Sequence, residues 1–159
     1  MLIPSIPMGE AGAKSVLAVT LVDMQGLPIT SLGGGGGGSS TQYVVATYHS
    51  DILANTCVRL ETSVAWAVTS RDVAAPWVDG IALQAGLAGS SNIIACLPQI
   101  TYTSTGALPE ARMLFLGQDG HLTEVPPSHS NGDLWSVTVA RRTGPNQFLF
   151  DPQIPIALI

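Results

Sequence analysis

Charge is what this sequence has least of. Only 11% of its 159 residues are Asp, Glu, Lys or Arg, against about 25% in an average soluble domain. A chain with so little charge has few groups to spread over a free surface, so its surface is expected in a membrane, in a secreted setting or under neighbouring subunits. Long apolar runs are missing too. No stretch approaches the roughly 20 residues that a spanning helix needs, which removes the membrane as a partner. The 6 basic residues are scattered except for Arg141 and Arg142, and the formal net charge is −5. With no basic stripe to follow a phosphate backbone, nucleic acid is not an expected partner.

Cysteine is scarce as well. Cys57 and Cys96 stand without a CxxC spacing or a disulfide-rich background, so they are expected as two buried thiols in a protein made in a reducing cytoplasm. The opening "MLIPSIPMGEAGAK" is apolar, but Pro4 and Pro7 interrupt it and no basic residue precedes its apolar part, so it does not read as a secretory leader. Aromatics make up 6% of the chain. Trp66, Trp77 and Trp135, with Tyr43, Tyr48 and Tyr102, fall in β-patterned runs where a large ring fills a core. A stacking platform for carbohydrate is the competing reading, and it requires tryptophans exposed in a row.

Capped segments with a 3.6-residue apolar period are also absent, which argues against helical and α/β designs. Short β-branched or aromatic runs bounded by Gly, Pro, Asn, Asp or Ser fill the chain instead. They are "SVLAVTLV", "TQYVVATYH", "CVRLETSVAWAVTS", "PWVDGIAL", "NIIACL", "RMLFLG", "HLTEV", "LWSVTVAR", "QFLF" and "IPIALI". The fold class is therefore all-β, an antiparallel β-barrel or β-sandwich with extended terminal arms. Only Ser50 to Asn55 leaves room for a short helical turn. Four zones follow from composition: an N-terminal arm over 1–13, a strand or hairpin unit over 14–32, a Gly-rich linker or loop over 33–40, and a barrel or sandwich body over 41–159. The run Gly33 to Gly38 is a tether and not a phosphate loop, because neither Gly-Lys-Ser/Thr nor a helix start follows it.

The stretch "FLGQDGHLTEVPP" places an Asp, a His and a Glu close together. Between two strand-like runs, Asp119 and Gly120 are explained by a turn, with Gly120 supplying positive φ and Gly117 closing the preceding strand. Asp23 and Gly26 in "LVDMQGLPI" repeat the pattern. His121, Glu124 and His129 are candidate metal ligands, but His121 and Glu124 are an odd number of positions apart and point to opposite faces of a strand. His129 lies past Pro126 and Pro127. His49 is near Asp51, yet no GxSxG or SxxK context supplies a nucleophile. No catalytic residue, metal or cofactor is expected, and the chain is not read as an enzyme; a hydrolase would need a histidine beside a serine, threonine or cysteine.

From about Asn55 onward, "ANTCVRLETSVAWAVTSRDVAAPWVDGIAL", "FLGQDGHLTEVPP" and "FLFDPQIPIALI" together resemble a β-rich module of tailed-bacteriophage virion proteins. Its "V-x-G-I-A" strand corresponds to Val78 to Ala82, its "FLG-x-x-G-x-L-T-x-x-PP" hairpin to Phe115 to Pro127, and its closing strand to Asp151 to Ile159. The resemblance implies a virion structural protein of the capsid decoration or cement type, assembled in the host cytoplasm, with the major capsid protein or other virion proteins as partners. It also implies a homo-oligomer, a trimer for preference. A tail, collar or fibre component is the alternative within the same class, and a carbohydrate-binding module the alternative outside it. The front third, with its glycine run, departs from the simplest form of the module. Sparse charge fits burial by neighbouring subunits, and the apolar Met1, Leu2, Ile3, Ile6 and Met8 at one end and Ile154, Ile156 and Leu158 at the other are the expected subunit-interface residues.

Overall fold

The computed structural model of the chain describes Leu21–Val22 and residues 43–159. The described strands are β1 Leu21–Val22, β2 Tyr43–Tyr48, β3 Cys57–Glu61, β4 Val64–Ala67, β5 Gly80–Ala82, β6 Ser91–Ala95, β7 Thr101–Thr103, β8 Met113–Leu116, β9 Leu122–Thr123, β10 Trp135–Ser136, β11 Thr138–Gly144, β12 Gln147–Phe150 and β13 Ile156–Ala157. The fold is all-β. Met1, Leu2, Ile3, Ile6, Met8, Asp23, Gly26 and the glycine run lie outside the described residues.

Strands β2, β4, β3, β5 and β6 pair in that order and close into a barrel through β2–β6. Val44 pairs with both Leu21 and Ile94, and Thr47 with both Val64 and Ser91. One edge of β2 therefore carries β6, while the other is shared by β1 at its start and β4 at its end. The β2–β4 pairing is parallel, a departure from the antiparallel expectation. With the other four neighbour pairs of this five-stranded ring antiparallel, the pair that closes it has to be parallel.

Alternation along these strands sorts their side chains into two cores. Ala46, Tyr48, Val58, Ala65, Ala82 and Ile94 fill the barrel interior together with Ile52. The neighbouring positions Cys57, Ile81, Leu83 and Ala95 face outward and are still buried, because a second sheet covers them. Strands buried on both faces read as near-continuous apolar runs, as "GIAL" and "NIIA" do. Gly80 is required where β5 meets β6: a Cβ there would clash with Ile94 Cγ2 and stand 2.8 Å from the Ala95 carbonyl oxygen.

The second sheet has the order β7-β12-β11-β8-β9 and is antiparallel throughout. Tyr102, Leu114, Leu116, Val139, Phe148 and Phe150 press from it onto the barrel wall in one continuous cluster. Strands β10 and β13 form a separate antiparallel ribbon, pairing Trp135 with Ala157 and Ser136 with Ile156.

Local expectations are overturned or sharpened at three places. Ser50 to Asn55 contains no helical turn; Ile52 instead bridges Gly86 through two backbone bonds of 2.9 and 2.8 Å. The run "CVRLETSVAWAVTS" holds two strands, the β3–β4 hairpin, and turns without a glycine at Thr62 and Ser63, with φ of 47° and 67°. Strand β7, "TYT", lies outside every run picked out by pattern, and its place comes from pairing with β12.

Candidate functional site

The β8–β9 hairpin begins as two strands in register, Leu116 opposite Leu122. Its loop is closed by the Gly117 amide donating to the His121 carbonyl at 2.9 Å, and Gly120 sits at the tip with φ of 84°. Asp119 Oδ1 accepts the His121 amide at 3.1 Å, while Oδ2 lies 3.2 Å from His121 Nδ1. Partial burial pulls the Asp119 carboxyl up, but the His121 amide and imidazole outweigh it and hold the group below the ordinary aspartate value. Among the described residues, the imidazole of His121 has Asp119 as its polar contact. The Asp and the His of the motif thus meet each other inside a turn.

The tip is also a staple between the two sheets. Cys57 donates to the Gly120 carbonyl, Ser70 to that of Gly117, and the Leu122 amide to Asn55. A cleft of about 430 Å³ opens beside it, with Leu116, Leu122, Val125 and Pro126 giving apolar walls and Gln118 and Asp133 polar ones. Asp133 is almost fully buried, yet its carboxylate is well supplied with donors: the Ser70 hydroxyl at 2.5 Å and the Ser128 amide at 2.9 Å. Ser70 therefore points its proton at a carboxylate, an arrangement that fixes loops and does not by itself activate a nucleophile.

The remaining candidate ligands go separate ways. Glu124 accepts the Ala111 amide at 3.2 Å, and His129 opens a short 3-10 turn, His129–Asn131. His49 stacks on Trp66, with centroids 3.4 Å apart and planes 22° from parallel. Among the described residues no group of three or more His, Cys, Asp or Glu is placed to hold a metal ion. The tryptophans are likewise dispersed in role. Trp66 is covered by His49, Trp135 is half-buried with its indole N–H donating to the Asp72 carbonyl at 2.9 Å, and Trp77 is the exposed one of the three.

The C-terminal positions do converge. Ile154 is 70% exposed and Ile156 is 65% exposed, although the backbone of β13 is held by β10. Ile156 and Leu158, two apart, fall on one face of the ribbon. Leu158 donates its amide to the carbonyl of Leu134, a partly exposed residue just before the partner strand. Together Leu134, Ile154, Ile156 and Leu158 make an apolar strip in which the first three are exposed and Leu158 partly so, with Ile156 and Leu158 held by backbone pairing. Leu134 was not singled out by sequence pattern, because its exposure follows from a ribbon that only the long-range β10–β13 pairing creates. No known family model matches the chain, and neither a curated protein nor a solved structure does.

Proposed function

We propose that this chain is a structural subunit of a tailed-bacteriophage virion, of the capsid decoration type, which stabilises the particle by binding the major capsid protein and copies of itself. The observation that carries the reading is the ordered apolar strip of Leu134, Ile154, Ile156 and Leu158. An exposed apolar edge strand is a liability in a free monomer and an asset in an assembly. Sparse charge, at 11% of residues, supports the same conclusion, since a surface covered by neighbours needs few solubilising groups. The sheet-to-sheet staple at Gly120 uses the polar groups of the "GQDGH" motif for folding. The assignment to virions in particular rests on the resemblance in the hairpin and closing strand.

The test is to add purified protein to heads and to tails lacking it, and to measure occupancy and resistance of the particles to heat. The expected result is saturable binding to heads with a raised disruption temperature. Binding to tails alone places the chain in the tail, collar or fibre class, and binding to neither overturns the reading.

A further inference from the structure

The C-terminal ribbon has a second edge, and its hydrogen-bonding direction follows from one bond. Leu158 donates its amide to the Leu134 carbonyl at 2.9 Å, and in an antiparallel ladder the residues that bond inward alternate with those that bond outward. Ile156 and Leu158 therefore turn their backbone groups toward β10. Ala157 and Ile159 turn theirs away. Among the described residues no strand lies on that outer edge.

The geometry points to β13 as the strand through which two copies of this chain join, edge to edge and antiparallel, about a two-fold axis at Ala157. In that register the two Ala157 residues exchange both backbone bonds, and each Ile159 amide reaches the Pro155 carbonyl of the other copy. Proline has no N–H to give in return, so its place in the strand sets a limit of four bonds and disfavours a longer ladder. The same register sets Ile156 opposite Leu158 of the second copy, on the face that already carries Leu134. The two apolar strips become one, across a four-stranded sheet.

A second copy fits this edge because its own sequence supplies the matching register, and no ionisable side chain opposes the contact. Each chain carries a formal −5, and two copies repel least where neither bears an ionisable side chain. From Pro152 to Ile159, and from Leu134 to Ser136 on the strand beside it, there is none. An isologous contact closes at two copies, in place of the trimer that the resemblance implies. The inference deepens the assembly reading by naming a partner, and solution mass decides it independently of particle binding.

The experiment is sedimentation velocity on the full chain across a micromolar concentration series. The expected species has twice the 16.5 kDa chain mass. Ala157→Pro removes an amide that β10 does not use, so it leaves the ribbon intact while deleting the two central bonds. It should raise the dimer dissociation constant by roughly 30-fold with an unchanged melting temperature. Ile156→Glu places like charges across the axis, and its weakened association should recover with added salt. A monomeric or trimeric wild-type chain overturns the inference. So does a dimer that survives Ala157→Pro, or one lost instead on deleting Met1 to Ala13. A monomer that still occupies particles overturns the contact and leaves the assembly reading standing; a dimer that binds no particle does the reverse.

Discussion

The amide of Cys57 donates to the carbonyl of Gly120 at 2.8 Å, and this bond joins the first residue of barrel strand β3 to the tip of a hairpin in the other sheet. The bond needs the tip to come very close. A Cβ on Gly120 would lie 2.9 Å from the Val68 carbonyl oxygen and 3.5 Å from Thr56 Cγ2. The hairpin turn and the docking of the two sheets thus make the same demand on one residue.

Gly120→Val is expected to destabilise the protein by roughly 1–3 kcal/mol, from positive-φ strain and the clash with the Val68 carbonyl. Urea unfolding monitored by far-UV circular dichroism measures it. A larger loss than at Gly89→Val is expected, because Gly89 has φ of 80° but open space around its Cβ position. Equal losses would show that the turn matters and the staple does not.

The hairpin was legible because every signal for it is local. Asp119 and Gly120 sit between two apolar runs, and φ of 84° at Gly120 follows from matching strand twist in few residues. The β3–β4 turn was illegible for the opposite reason. Thr62 and Ser63 adopt positive φ without the glycine or asparagine that announces it. The parallel β2–β4 pair, the bond from Ser70 to Asp133 and the stack of His49 on Trp66 join residues far apart in sequence or in different strands, and only the tertiary pairing of strands and the docking of the loops bring them together. At the C-terminus, composition singled out Ile154, Ile156 and Leu158 as apolar, whereas their shared face depends on the β10–β13 register.

The two thiols should differ in accessibility and agree in sluggishness. Cys57 is fully buried, and burial, with Asp119 adding to it, pushes its thiol far up. Cys96 is partly exposed, but burial and the nearby Asp79 raise it to about 11. At pH 8 its thiolate fraction is then roughly one in a thousand. Ellman's reagent should leave Cys57 unmodified in the folded protein and label Cys96 about a hundred-fold more slowly than a free thiol. Both should react promptly in denaturant. Rapid labelling of Cys57 under native conditions would show that the inter-sheet core opens more readily than its packing implies.

Acid should undo the loop network before it reaches the barrel, and Asp133 is where it acts. Burial alone would raise this carboxyl, but the hydrogen bonds from Ser70, Ser128 and Gln118, with the charge of Arg71 nearby, hold it below the ordinary value of 3.8. A group whose folded pKa is depressed contributes stability that is fully present above its unfolded value and is lost as pH falls through the folded one. The contribution of Asp133 is therefore complete at neutral pH, begins to fall near pH 4 and is lost as the pH drops through the lower folded value. Asp133→Ala removes the acceptor and strands the buried Ser70 hydroxyl and the Ser128 amide. The expected cost at pH 7 is about 1.5–3 kcal/mol, the range for hydrogen bonds to a charged group. Asp133→Asn keeps the shape and one acceptor oxygen, so it should cost less at pH 7 and flatten the acid limb of the stability curve. Melting temperatures of the wild type and both variants between pH 7 and pH 3 measure the effect. Parallel curves for wild type and Asp133→Asn would show that other carboxylates carry the acid sensitivity.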